Sequence, residues 1–154
     1  MPRPKNQRDE FAQFYVAAMF ADEGWTLHFP MPDRGFDFIA TKQIADKIVI
    51  RPVQVKGKYP ESTIRKVKAY GFTGGLTATH DSMVLAIPLF NSNERSESPA
   101  LVAFVPWSEI KILGNGKYKC CPAQHLEGKV RARQDSEKFF GIAGIKCLEN
   151  AKYK

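Results

Sequence analysis

The chain has 154 residues, of which 44% are hydrophobic and 25% are charged. These fractions are close to those of globular domains, so the composition excludes a wholly disordered chain. The excess of Lys and Arg over Asp and Glu gives a net charge of +7, which favours an acidic partner. No apolar run approaches the roughly 18 residues that span a membrane, and no signal-peptide pattern is present. The three cysteines have no ligand spacing to the histidines, which excludes a zinc site, and their odd number excludes a disulfide framework.

The first predicted element is a helix from about Gln7 to Glu23, which Gly24 ends. Between Phe11 and Ala21 only one residue is polar, so this helix is expected to be covered on more than one side. At about 100° per residue, Glu10 lies on the same stripe as Phe14. We therefore expect Glu10 to lie on a covered face of the helix.

Three strands are predicted next, at Trp25–Phe29, Phe36–Thr41 and Ile48–Lys58. Pro52 falls inside the third strand, where it removes a backbone donor, so we expect a bulge or a local edge there. The following segment, Glu61–Tyr70, is strongly basic and only weakly helical.

The second half of the chain continues the alternation of element types. Further predictions are strands at Met83–Phe90 and Ala100–Trp107, a hairpin at Ile110–Lys119, and a closing helix at Ser136–Ala151. This order predicts a mixed α/β domain. We expect one domain over residues 1–154, with a motif-bearing core at 7–107 and a C-terminal elaboration at 108–154, located in the cytoplasm.

Residues that indicate a chemical function lie between Asp37 and Lys56. The period of two in a strand places Asp37 on one face of its strand, and Gln54 and Lys56 together on one face of the next. If the two strands are antiparallel neighbours, Asp37 can meet the other two side chains across the ladder. Carboxylate and carbonyl oxygens suit a hard cation such as Mg²⁺, which polarises a phosphate and helps to form hydroxide. A lysine beside the cation can orient the attacking water or neutralise charge on the phosphoryl oxygens, so the set contains the parts that phosphodiester hydrolysis needs.

The pattern Gly35-x-Asp37-x-x-Ala40, followed by a hydrophobic strand that ends in Gln54-x-Lys56, resembles the PD-(D/E)XK nucleases. That family has an α-β-β-β-α-β core and includes Holliday-junction resolvases, restriction enzymes and one group of homing endonucleases. The similarity covers roughly residues 7–58, about a third of the chain. It implies an α/β, restriction-endonuclease-like core with a mixed central sheet flanked by helices, here followed by the C-terminal hairpin and helix.

The resemblance also implies roles for individual residues. The family's metal-binding aspartate falls on Asp37, its second acidic ligand on Gln54, and its catalytic lysine on Lys56. The helix glutamate of the resolvase-like branch falls on Glu10. The implied cofactor is Mg²⁺, held by Asp37, Gln54 and Glu10, and Mn²⁺ can substitute for it. A literal Pro-Asp pair ends at Asp33, but Asp37 is preferred because it begins a strand.

Gln54 stands where the family carries Glu or Asp, so the implied metal site has one negative charge fewer. Two functions therefore stay open: a magnesium-dependent endodeoxyribonuclease, and a catalytically degenerate nucleic-acid-binding protein on the same fold. Among nucleases, site-specific cleavage of the homing type is slightly favoured over junction resolution, because the Glu-Asp-Gln-Lys set resembles that branch. A third class, a small-molecule or protein-interaction module, would show no steep loss of DNA affinity with salt.

Basic residues are concentrated in two segments, and DNA is the expected partner of both. The first segment adjoins Lys56 and has tyrosines interleaved, so we expect phosphate to bind beside Lys56. The second segment places three cations on one side if it is extended. The predicted nucleic-acid-binding residues are Lys58, Arg65, Lys66, Lys68, Lys129, Arg131 and Arg133.

A double-strand cut by so small a chain requires contact with two DNA strands. We therefore expect a homodimer or a homotetramer, with the apolar first helix as part of the interface. No membrane partner is expected.

Overall fold

The computed structural model describes residues 5–32, 35–61, 66–94 and 97–154, with Lys5 and Asn6 described by their backbone alone. The described residues form helices α1 at Lys5–Asp22 and α2 at Gly141–Cys147, and 3₁₀ turns at Trp107–Glu109 and Gln134–Phe139. The strands are β1 Thr26–His28, β2 Phe38–Ile44, β3 Lys47–Val55, β4 Lys66–Gly74, β5 Val84–Leu89, β6 Leu101–Pro106, β7 Lys111–Ile112, β8 Tyr118–Leu126 and β9 Lys129–Ala132. The fold class is α/β, as predicted.

Helix α1 ends as its sequence predicts, at a glycine in the left-handed region. Gly24 has φ +85°, and the backbone N–H of Trp25 returns to the carbonyl of Phe20 at 3.0 Å. The rings of Phe20 and Trp25 meet edge to face with centroids 5.6 Å apart, which is the hydrophobic contact that accompanies this type of helix end. The helix end therefore leads directly into β1.

A five-stranded mixed sheet, which we call the central sheet, has the order β1-β2-β3-β5-β6. Its neighbours are antiparallel except β3 and β5, which run parallel. Pro52 is tolerated within β3 because pairing with β5 begins only at Val53. The N–H of Lys56 points to β5, and alternation puts the nitrogen of Pro52 on that same side, where no bond is needed. The prediction of a local edge at Pro52 is confirmed.

The basic segment has only a weak helical pattern, and the sequence leaves the structure of residues 60–80 open; its residues 66–70 form the first part of strand β4. β4 pairs with β8 in a second sheet of order β4-β8-β7, in which β9 also pairs with β8. Tyr70 is buried and Phe72 is partly buried against the same core, while Lys66 and Lys68 are exposed on the other face. Two register shifts interrupt the ladder between Val67 and Phe72, which is why a simple period of two is absent from the sequence.

Two hydrophobic cores lie on opposite faces of the central sheet. Helices α1 and α2 pack on one face, around Phe20, Phe38 and Phe104. The second sheet packs on the other face, around Leu85 and Tyr70. None of the helices within the described residues combines the length and the apolar character that crossing a bilayer demands. The cytoplasmic location stays a prediction.

The C-terminal elaboration contains the predicted hairpin, because β7 pairs with the start of β8 in an antiparallel ladder. The predicted closing helix is shorter than expected: a 3₁₀ turn precedes α2, and Gly141 between them has φ +65°. A side chain at Gly144 would lie 2.1 Å from the carbonyl oxygen of Phe139, so the glycine is required for this approach. The break in the helix follows from these two glycines.

Arg51 joins the C-terminal residues to β3. Its side chain is 1% exposed, and its guanidinium donates hydrogen bonds to the carbonyls of Leu148 at 3.1 Å, Asn150 at 2.7 Å and Ser82 at 3.3 Å. Burial lowers the pKa of this guanidinium below its usual range. Three backbone acceptors thus depend on one buried cation.

We expect Arg51→Met to lower the free energy of unfolding by about 2–4 kcal/mol, because buried carbonyls lose their donors. Urea denaturation measures this change. The control is Lys47→Met at the exposed start of the same strand, which is expected to change it by less than about 0.5 kcal/mol. Equal effects of the two substitutions would show that the guanidinium has no structural role.

Candidate functional site

Asp37 and β3 meet as the sequence predicts, in an antiparallel ladder. Phe38 pairs with Val53, and Asp37 lies one residue beyond that pair. The N–H of Asp37 donates to the carbonyl of Val53 at 2.9 Å, and the N–H of Val55 donates to the Asp37 carboxylate at 2.6 Å. Asp37 is therefore hydrogen-bonded to the backbone of Val53 and of Val55, the two residues that flank Gln54.

Gln54 is a buried polar residue whose acceptor is not satisfied within the described part of the chain. Its side chain is 5% exposed, and its Oε1 atom has no hydrogen-bond partner among the described residues. A buried acceptor without a partner costs roughly 1–3 kcal/mol. Such an atom in a native structure requires an explanation, for example an ordered water or an ion.

Lys56 follows Gln54 on the same face of the chain, towards β4. Its ammonium lies 5.7 Å from the ring centroid of Phe72, and its backbone N–H donates to Ala86 at 2.9 Å. Lys58 repeats the arrangement two residues later, 5.5 Å from the ring of Tyr70. No carboxylate of the described residues forms an ion pair with either lysine. The two cations therefore lie together in the space between the two sheets.

The donor set at Asp37 and Gln54 fits the Mg²⁺ that the sequence resemblance implies. Within the described ranges no group of three His, Cys, Asp or Glu side chains is placed to hold a metal. Mg²⁺, however, is usually bound through one or two carboxylates and keeps several waters. A carboxylate has about four acceptor positions, so it can bind a cation while it also accepts the hydrogen bond from Val55. Oε1 of Gln54, which has no partner among the described residues, would supply a second oxygen.

Glu10 lies on the exposed side of α1. It is exposed, like Phe14, whose side chain is 61% exposed. The side of α1 that approaches β3 carries Ala12, since a side chain at Gly57 would lie 3.2 Å from the Cβ of Ala12. Glu10 is about 160° around the helix from Ala12. The expectation of a covered face is therefore wrong for this chain, and a metal-binding role for Glu10 stays a prediction.

Lys58 lines a cavity of about 1080 Å³. Several of the other lining residues were not predicted from the sequence to have a function. The guanidinium of Arg8 lies 4.6 Å from the ring centroid of Tyr59, which stacks on Phe90 at 4.1 Å. His125, 2% exposed, lines the cavity and has no partner for Nδ1 among the described residues. Asp9, one residue before Glu10, also lines it. Asp9 is only about 60° around the helix from Ala12, so it lies near the packed side of α1 once the contact of Ala12 is known.

Gly35 allows residues 77 and 78 to approach the start of β2. It has φ +109°, and a side chain there would lie 2.7 Å from the Cβ of Ala78 and 3.2 Å from that of Thr77. Both the conformation and the contact exclude other residues. The loop after β4 is thereby held against the segment that contains Asp37.

We expect Gly35→Ala to lower the free energy of unfolding by roughly 1–3 kcal/mol, because it adds both backbone strain and a clash. The control is Gly75→Ala, where the added side chain meets nothing within 4 Å. That change is expected to be neutral or stabilising. Thermal unfolding of the two variants measures the difference, and an equal response would contradict the close approach at Ala78.

The two predicted basic segments come together, but mostly away from Lys56. Register pairs join Lys66 to Leu126, and Leu126 to Lys129, so β4 and β9 lie on either side of β8. Lys68 and Arg131 continue these two rows. Arg133 differs, since it lies 3.5 Å from the carboxylate of Asp135 and donates to the carbonyl of Cys121.

Among the described members of the predicted nucleic-acid-binding set, only Lys58 lies on the Lys56 side of β4. Arg65 and Asp33 lie outside the described residues. The expectation that the whole first segment adjoins Lys56 is therefore wrong, because β4 turns Lys66 and Lys68 to its other face. Nucleic-acid binding by these residues stays a prediction.

The comparisons with protein families and with curated sequences assign no family to this chain. No protein-family model matches it, and no curated protein sequence matches it. Its function is therefore inferred from its own residues, above all from Asp37, Gln54 and Lys56.

Proposed function

We propose that the chain is a metal-dependent DNA endonuclease that hydrolyses phosphodiester bonds. The observation that carries the proposal is the buried Oε1 of Gln54, which has no partner among the described residues, on a residue whose two chain neighbours both bond to Asp37, with Lys56 following on the same face. An oxygen-lined position beside an ammonium that pairs with no carboxylate of the described residues suits a phosphate and a hard cation. Mg²⁺ is the proposed cofactor, and Mn²⁺ can replace it.

The order of elements supports a restriction-endonuclease-like core. A helix is followed by three antiparallel strands and then by β5, which is parallel to β3. This order agrees with an α-β-β-β-α-β core, except that β4 of the second sheet occupies the connection in which a helix was expected. The candidate residues lie where β2 begins and β3 ends, at one end of the central sheet.

Each residue has a distinct part in the proposed reaction. A divalent cation held by Asp37 and Gln54 would polarise the phosphate and lower the pKa of a bound water. Lys56 would contact a non-bridging phosphate oxygen and stabilise the charge that develops there. Lys58 would hold the neighbouring phosphate of the same strand, since residues two apart in an extended chain lie about 6.6 Å from each other.

A specific observation favours a second candidate, the catalytically degenerate nucleic-acid-binding protein. The described residues bring one acid, not two, to the position of the cation. A site with less negative charge binds metal more weakly, and the basic residues would then bind nucleic acid without cleaving it.

Cleavage assays on supercoiled, linear and branched DNA with Mg²⁺, Mn²⁺ or EDTA test the proposal. We expect metal-dependent nicking by the wild type and none by Asp37→Asn. The control is Asp46→Asn, an exposed acid in the turn between β2 and β3, which is expected to keep full activity. If wild type and Asp37→Asn are equally inert while DNA binding persists, the second candidate stands. The three substrates also separate homing-type cleavage from junction resolution.

The homodimer or homotetramer predicted from the sequence is part of this proposal. The exposed Phe14 on α1 is a candidate for the contact between copies. Sedimentation of the wild type and of Phe14→Ser measures the oligomeric state. A monomeric wild type would contradict the expectation.

A further inference from the structure

The outer face of the second sheet is strongly basic. Lys66 and Lys68 of β4, and Lys129 and Arg131 of β9, are all exposed there, and we call these four residues the basic face. Between the two rows runs β8, which contributes the uncharged Gln124 and Leu126. The nearest acid along the chain is Glu127, in the turn between β8 and β9. The face therefore has two cationic rows with a neutral row between them.

A tight turn fixes the position of the β9 row. Leu126 pairs with Lys129, so the loop has two residues, Glu127 with φ +46° and Gly128 with φ +83°. Two positive φ values are typical of a type I′ turn, whose twist matches that of the flanking strands. The same register places Lys66 across from Leu126 on the other side. The spacing of the cations is therefore set by the backbone ladder.

The dimensions of the basic face fit a double helix. Neighbouring strands are about 4.8 Å apart, so the β4 and β9 rows are separated by roughly 10 Å. The major groove of B-DNA is about 12 Å wide, and phosphates line both of its edges. Each row can contact one phosphate backbone, while Gln124 and Leu126 face the groove between them. A single strand offers only one such row of phosphates.

The basic face and the candidate catalytic residues lie on opposite sides of β4. Lys56 and Lys58 face the inner side of this strand, at Phe72 and Tyr70, and the two rings fill the space between the sheets. Lys66 and Lys68 are on its outer side. A phosphate held at Lys56 is therefore separated from the basic face by the thickness of a sheet.

We infer that the basic face binds a duplex segment of nucleic acid distinct from the strand held at Asp37. The second half of this inference rests on the proposed nuclease function; binding at the basic face does not. A chain that holds two separate segments is suited to DNA in which two duplexes lie close together, such as branched or looped DNA. The inferred substrate is therefore DNA that brings two duplex segments together, and not an isolated linear duplex.

Duplex binding in EDTA tests the basic face without any cleavage. The observed affinity for a short linear duplex is measured over a range of salt concentrations for the wild type and for Lys129→Gln/Arg131→Gln. Removing two phosphate contacts is expected to reduce the slope of log K against log salt by about 1.8. The control is Lys111→Gln/Lys119→Gln, which removes the same charge at the other end of the same sheet and is expected to leave the slope unchanged.

Two further measurements complete the test. Glu127→Asn removes the nearby acid and suits the left-handed turn position, so duplex affinity should rise roughly twofold. Two duplexes that carry donor and acceptor dyes should show energy transfer with the wild type and lose it both with Lys129→Gln/Arg131→Gln and with Lys56→Gln/Lys58→Gln, whereas a bridge made by the basic faces of two copies would survive the second pair of substitutions. Equal slopes for the two double variants, equal effects on single-stranded DNA, or no energy transfer with the wild type would each overturn the inference. Failure of the nuclease proposal would appear separately, as inert wild type in Mg²⁺ with these binding results intact.

Discussion

Replacing Lys56 by methionine is expected to reduce metal-dependent DNA cleavage by about 10²–10³-fold, the usual loss when one preorganised donor to a developing anion is removed. Methionine keeps an unbranched side chain against Phe72, so the packing between the sheets is retained. Single-turnover nicking rates at saturating protein measure the effect. Because the ammonium acts on charge that develops during the reaction, the loss should fall on kcat and not on KM.

The control for this prediction is Lys111→Met, which removes an exposed cation from the second sheet. It is expected to keep the wild-type rate. A Lys56→Met protein that cleaves normally would show that Lys56 serves packing alone. A rise in KM with kcat unchanged would assign Lys56 to binding and would leave the catalytic donor to another residue.

Gln54→Glu is expected to make the stability of the chain depend on Mg²⁺. The substitution places a second carboxylate in a buried position beside Asp37, where two like charges repel and neither is well solvated. In EDTA we expect the free energy of unfolding to fall by about 2–3 kcal/mol. Saturating Mg²⁺ should restore it, since ligand at a hundred times its Kd contributes about 2.7 kcal/mol. Cleavage should rise in the same variant.

Urea denaturation with Mg²⁺ and with EDTA measures this dependence, and it does not rely on any activity. Gln43→Glu, at an exposed position of β2, is the matched control and should respond equally in both buffers. If Gln54→Glu is destabilised to the same extent with and without Mg²⁺, no cation binds beside Asp37. The catalytically degenerate alternative would then be favoured.

The parts of the site that follow from strand periodicity could be predicted from the sequence. Gln54 lies on β3, while Asp37 and Lys56 lie one residue outside β2 and β3, and a period of two suffices to place all three on one face of this hairpin. Glu10 could not be placed in this way, because α1 is apolar on nearly every side. Only its packing through Ala12 shows which side meets the sheet.

The second sheet could not be predicted from local sequence patterns. β4 carries alternating cations and two register shifts, so its inward residues Val67, Tyr70 and Phe72 do not keep a regular spacing. Its strand partner β8 begins more than forty residues after β4 ends. The cavity around His125 is equally non-local, since α1, the loop after β5 and the turn after β8 all contribute to it.

The guanidinium of Arg51 also has a consequence for the order in which the chain can fold. Its acceptors at Leu148 and Asn150 are 97 and 99 residues away in sequence. During synthesis, β3 is therefore made long before the two carbonyls that accept hydrogen bonds from the buried guanidinium of Arg51. The strand that carries Gln54 and Lys56 cannot reach its final burial until α2 has emerged and docked. In a nascent chain, the end of β3 that carries the candidate catalytic residues is consequently expected to be among the last parts to reach its native packing.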